Sequence, residues 1–227
     1  MFKSLVNAGR ALTLVALAGA IAMPASATII SGTVTGGTAF TAGGTFIKLT
    51  VPFDPPNGDL NEVGDNTFNT NNLYGFDEDQ NIVLSAPLLV DEVPAGSTTL
   101  PIGTTVASHY IFFDPLSSRS IVGKVTFDSK VVAIITGRVN LDNSDFLANT
   151  GVVYLSPTLR GLEAGDDVSI DGLDPYSIIF DTTASSPGDY VRVLTEYSPG
   201  AVPEPGTVAL LGAGLAALAL ARRKFAR

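Results

Sequence analysis

Between residues 120 and 127, Ile121, Gly123, Val125 and Phe127 alternate with Val122, Lys124 and Thr126. A period of two turns one set of side chains towards a core and the other mostly towards water, which predicts a β-strand. Residues 190–197 repeat the logic, with Val191, Val193 and Tyr197 pointing one way and Arg192 and Glu196 the other. Further β-branched and aromatic runs at 82–84, 88–90, 104–113, 131–136, 168–170 and 177–180 are divided by Gly, Pro, Asn and Asp. That is the pattern of short strands separated by turns. Residues 28–35 and 45–51 flank a Gly-Gly-rich connection and predict an opening hairpin, with a long polar loop over 52–72 to follow. Helical periodicity is scarce away from the two ends. Asn143 or Ser144 could cap one brief turn over 145–148, closed by Asn149 or Gly151. About ten strands with no fixed repeat predict an all-β domain of two antiparallel sheets, a β-sandwich or jelly roll, over a propeller or β-helix.

The ends follow a different rule. Lys3 and Arg10 precede an apolar run over 11–23, and Ala25-Ser26-Ala27 places small residues where signal peptidase needs them. An N-terminal signal helix over 1–27, cut before Thr28, is expected, with an uncleaved anchor as the alternative. At the other end Pro203-Glu204-Pro205 precedes an uncharged stretch of 15 residues, 207–221, and then the basic Arg222, Arg223, Lys224 and Arg227. At about 1.5 Å per residue a helix there spans roughly 23 Å, against roughly 30 Å of hydrocarbon. Gly206, Gly212 and Gly214 weaken it as a helix, while the basic cluster favours the cytoplasmic side. A C-terminal hydrophobic helix acting as a transient stop-transfer segment, or else as a plain single-pass anchor, is the reading.

These three parts in order, Pro-Glu-Pro, apolar segment and Arg-rich end, resemble the PEP-CTERM sorting domain of Gram-negative bacteria. The resemblance implies recognition by exosortase, a membrane protease-transpeptidase that cuts near the Pro-Glu-Pro motif, and release or re-anchoring of the product in the envelope or extracellular matrix. It implies membrane attachment through the tail only before processing. Residues 72–81, 105–115, 141–161 and 187–197 are similar to stretches of a mature domain that recurs among such proteins, a likeness that implies a shared domain and no activity.

The resulting division is a signal peptide over 1–27, a mature domain over 28–200 and a sorting segment over 201–227. The whole chain carries a net charge of −9. Its mature part is far more acidic, because only Lys48, Arg119, Lys124, Lys130, Arg138, Arg160 and Arg192 face every acidic residue but Glu204, a balance of −14. Such a surface repels nucleic acid and anionic lipid and suits hydrated polysaccharide and divalent cations. Cysteine and tryptophan are absent. Disulfides, thiolate sites and a cysteine nucleophile are therefore excluded, and any stacking on sugar rings falls to Tyr74, Tyr110, Tyr154, Tyr176 or Tyr190.

Catalytic motifs are not evident, and no catalytic residue is assigned. His109 is the single histidine, and Ser108 beside it cannot be its nucleophile, since strand neighbours point to opposite faces. The densest chemistry lies over 54–81, where Asp59, Asn61, Asp65, Asp77, Asp79 and Asn81 offer the hard oxygens that calcium takes. The same residue types also make ordinary solvated turns. Asp59-x-Asn61 has Val63 and Thr70 where an EF-hand needs ligands, and Asp77-x-Asp79-x-Asn81 runs into Ile82 where that loop needs glycine. The expectation is an exported, exosortase-processed, non-enzymatic envelope or matrix protein associated with exopolysaccharide or biofilm, with calcium as its candidate ion. The alternative is a secreted glycan hydrolase working through two carboxylates.

Overall fold

Where the side chains alternate, the backbone is extended. The computed structural model describes residues 27–197. The expected signal and tail helices, with Ala25, Pro203, Glu204, Pro205, Arg222, Arg223, Lys224 and Arg227, lie outside the described residues. The early elements are β1 (Ile29–Gly36), α1 (Gly37–Thr41), β2 (Phe46–Lys48), β3 (Glu62–Val63) and β4 (Leu73–Asp77). Short strands β5 (Ile82–Val83), β6 (Leu88–Leu89) and β7 (Thr99–Leu100) lead to the long β8 (Thr105–Phe113), β9 (Arg119–Phe127) and β10 (Val131–Ile135). After α2 (Arg138–Asn143) come β11 (Val153–Tyr154), β12 (Asp167–Ile170), β13 (Ser177–Ala184) and β14 (Asp189–Glu196). The chain is all-β, and its described helices are brief.

Two sheets carry the fold. One has four strands in the order β1-β9-β13-β12, all antiparallel. The other has six, in the order β10-β14-β8-β4-β2 with β5 also paired to β8. Side chains from both meet in one buried apolar cluster, including Ile29, Ile121, Val125 and Phe180 from the first sheet and Leu73, Ile111, Val191 and Val193 from the second. Each alternating strand thus delivers one row of apolar groups to a common interior. Their removal from water is the main term favouring the folded chain.

A second cluster lies on the opposite face of the six-stranded sheet. Tyr74 and Phe76 of β4, Tyr110 and Phe112 of β8 and Tyr190 of β14 are covered there by Phe53, Phe68, Leu141 and Leu147 from the connecting segments. Phe112 stacks between Tyr74 at 5.2 Å and Tyr190 at 5.7 Å, with interplanar angles of 17° and 18°. Such pairs contribute about 0.5–1.5 kcal/mol each beyond their burial. The central strands β4, β8 and β14 are consequently buried on both faces.

Three sequence expectations change. The opening hairpin does not form: α1 intervenes, β1 joins the four-stranded sheet, and β2 crosses to pair in parallel with β4. The two strands pack rather than pair, since a Cβ on Gly32 would stand 2.3 Å from the Phe46 ring. Only glycine admits that approach. The brief turn over 145–148 is present as a 3-10 turn at Asp145–Leu147, but Ser144 makes no side-chain cap and α2 precedes it. Arg192, expected on a solvated face, is fully buried.

Candidate functional site

The end of β4 sends two consecutive carboxylates to opposite faces of the sheet. Asp77 turns towards the four-stranded sheet, where its Oδ1 lies 2.8 Å from His109 Nδ1 and accepts the Ile29 N–H at 3.0 Å. Its Oδ2 meets Lys48 Nζ at 2.8 Å and accepts the Thr28 hydroxyl at 2.7 Å. Burial alone would raise this carboxyl, but His109, Lys48 and Thr28 outweigh it and hold it well below the usual range. His109 Nε2 in turn lies 3.0 Å from Thr195 Oγ1. Asp77, His109 and Thr195 therefore have the spacing of a nucleophilic relay, yet His109 and Thr195 are sealed from solvent. No substrate reaches that hydroxyl, and the arrangement ties β4, β8 and β14 together.

Glu78 goes to the aromatic face. Its Oε2 accepts Arg192 Nε at 2.7 Å and the Ser108 hydroxyl at 2.6 Å. Its Oε1 accepts Arg192 Nη2 at 3.0 Å and the Tyr154 hydroxyl at 2.6 Å. Arg192 Nη1 donates to Ser144 Oγ at 2.6 Å and the Leu141 carbonyl at 3.2 Å. Burial alone would lower the guanidinium, but Glu78 outweighs it and keeps it charged. Arg160 makes a parallel clasp, with Nη2 at 2.7 Å from Asp142 and 2.8 Å from Asp145. The two arginines fasten α2 and the turn after it over the sheet.

The calcium candidates do not assemble. Asp59 is exposed, Asn61 spends its Oδ1 on the Phe53 N–H at 2.8 Å, and exposed Asp65 accepts the Ser156 hydroxyl at 3.1 Å. Asp77 is engaged as described. Asp79 is half-buried, its carboxyl raised by burial and by neighbouring Glu78, and Asn81 sits at φ 58° after it. Among the described residues no three His, Asp or Glu side chains are grouped to hold a metal. Ala27 of the expected cleavage site is described and buried.

The tyrosines divide. Tyr74, Tyr110 and Tyr190 are core residues, and Tyr154 is held on Glu78. Tyr176 stays 39 % exposed. It follows Pro175, which with Glu92, Pro94, Ile170 and Asp171 lines a depression of about 350 Å³. Sequence reasoning passed over Arg192, Asp114 and Asp189. Arg192 carried a readable signal, since its same-face neighbours Tyr190 and Leu194 are apolar, as in a strand covered on both sides.

Among the described residues no helix is long and apolar enough to cross a membrane. No curated protein and no solved structure matches the chain. Residues 201–224 match the PEP-CTERM protein-sorting motif, which the chain thus carries.

Proposed function

We propose that this is an exported protein whose tail delivers it to exosortase and whose acidic β-domain, a two-sheet sandwich, persists in the envelope or matrix as a non-enzymatic partner of exopolysaccharide. The observation that carries the reading is the sorting motif over 201–224, which points to an exported, exosortase-processed chain. The shared apolar cluster between the two sheets supports the sandwich. Exposed Tyr176, next in sequence to Pro175, is an aromatic side chain of the kind sugars stack on.

The hydrolase reading draws less support. Asp114 and Asp189, whose carboxyl groups burial pushes up to about 6 and about 7, are buried away from any polymer. Retention of the protein on the producing organism's exopolysaccharide tests the proposal: binding that weakens at least fivefold in Tyr176→Ala supports it. Equal elution of wild type and variant with the void volume contradicts it.

A further inference from the structure

The mature chain expected from signal-peptide removal begins at Thr28, and this residue is held by its own main-chain nitrogen. The Thr28 N–H donates to Asp128 Oδ1 at 2.8 Å, and the Thr28 carbonyl accepts the Asp128 N–H at 3.0 Å. The closed pair extends the β1–β9 register by one residue beyond Ile29 and Phe127. On its other side the Thr28 hydroxyl donates to Asp77 Oδ2 at 2.7 Å and accepts from Lys48 Nζ.

Charge at this corner is unbalanced. Asp77 is met by Lys48 and His109. Asp128 is exposed, and among the described residues no Lys, Arg or His forms an ion pair with it. While Ala27 is attached, the nitrogen that Asp128 holds is a neutral amide with a single proton. Hydrolysis of the Ala27–Thr28 bond takes up one water, leaves a carboxylate on Ala27 and turns the Thr28 nitrogen into an α-ammonium, a charged group with three donors like that of lysine. Hydrogen bonds between ionised groups are roughly twice as strong as those between neutral ones. Ala27 is buried, so the bond is out of a peptidase's reach once the domain has closed, and the cut comes first.

We infer that Asp128 is the docking site of the mature N-terminus, its carboxylate pairing with the α-ammonium that signal-peptide removal creates at Thr28. The inference rests on the export reading and adds what the cut does for the fold. The charged groups facing the ammonium are Asp128 from the turn after β9, Asp77 from β4, with His109 behind it, and Lys48 from β2; Lys48 and Asp77 already pair, which leaves the charge of Asp128 for the new terminus. The same turn holds the far end of the domain, since the Lys130 carbonyl accepts the Glu196 N–H at 2.8 Å. Residues 128–130 thus tie down both the first residue of the mature chain and β14, the strand that leads towards the sorting tail.

Mass spectrometry of the protein exported by producing cells identifies its first residue, and labelling of its α-amine with acetic anhydride across pH 6–10 reads the charge. Thr28 is expected first. At pH 7 its amine labels at least about threefold more slowly in the wild type than in Asp128→Asn, the effect of raising the amine by about half a unit from its ordinary value of about 8. The two rates converge at pH 10, where both amines are neutral. Asparagine keeps the acceptor oxygen and removes only the charge, so a contact that merely shields the amine slows both proteins alike. Equal rates at pH 7 overturn the inference, and so does a difference that persists at pH 10 or an exported chain that begins at any other residue. Each of these failures leaves the export reading standing, since that reading is judged on the tail.

Discussion

Arg192 and Glu78 form a bidentate ion pair, Nε to Oε2 at 2.7 Å and Nη2 to Oε1 at 3.0 Å, with neither side chain reached by solvent. Every oxygen of Glu78 is used twice, by Arg192 on both sides and by Ser108 and Tyr154. Removing one charge leaves the other buried and unpaired. Arg192→Met is therefore expected to destabilise by about 3–5 kcal/mol, and Arg192→Met/Glu78→Gln by less than the two single losses combined. Urea melting of the four proteins checks this as a double-mutant cycle.

Asp77 sets the acid limit. Its carboxyl is held below the ordinary value of 3.8 in the folded chain, although burial pulls the other way. A depressed carboxyl contributes stability that is present above its unfolded value and is lost as pH falls through that value towards the folded one. Asp77→Asn should cost about 2 kcal/mol at pH 7 and flatten the loss of stability below pH about 4, read from melting across pH 2–7.

Asp189 acts with the opposite sign. Burial pushes its carboxyl up to about 7, Thr182 lowers it, and Asp166 and Glu163 raise it further. The folded state holds this proton more tightly than the unfolded one. Stability contributed by the neutral form is whole below about pH 4, declines as pH rises, and is gone above about pH 7. Asp189→Asn is expected to be the more stable protein at pH 8 by on the order of 4 kcal/mol, with no advantage at pH 4. A variant less stable at both pH values contradicts the assignment.

Local pattern reached the strands and stopped at their pairing. Strands β8 to β10 and β12 to β14 are readable as β-branched and aromatic runs bounded by turn residues, with a clear period of two in β9, and β8 and β9 coincide with the predicted runs to within a residue. The pairing of three-residue β2 with β4 is set by the Gly32–Phe46 approach and the Phe46–Leu73 register, contacts between distant segments that leave no local signature. Arg192 was assigned to water on its charge, whereas Tyr190 and Leu194 on its face record that the sheet is covered there. Asp77 was read as a calcium candidate, whereas it is engaged by His109 and Lys48, and the strand's alternation turns its neighbour Glu78 the other way, to Arg192. Asp114 meets Phe68 across 46 positions, so its surroundings were invisible until the chain folded.

The account as a whole rests on the tail being a sorting signal that is removed. Intact mass of the exported protein, taken from cells with and without exosortase, measures this directly. With exosortase the product should end near Pro203-Glu204-Pro205 and lack the apolar and basic residues of 207–227, and without it those residues should remain. A full-length tail on the exported protein in both strains would contradict the account.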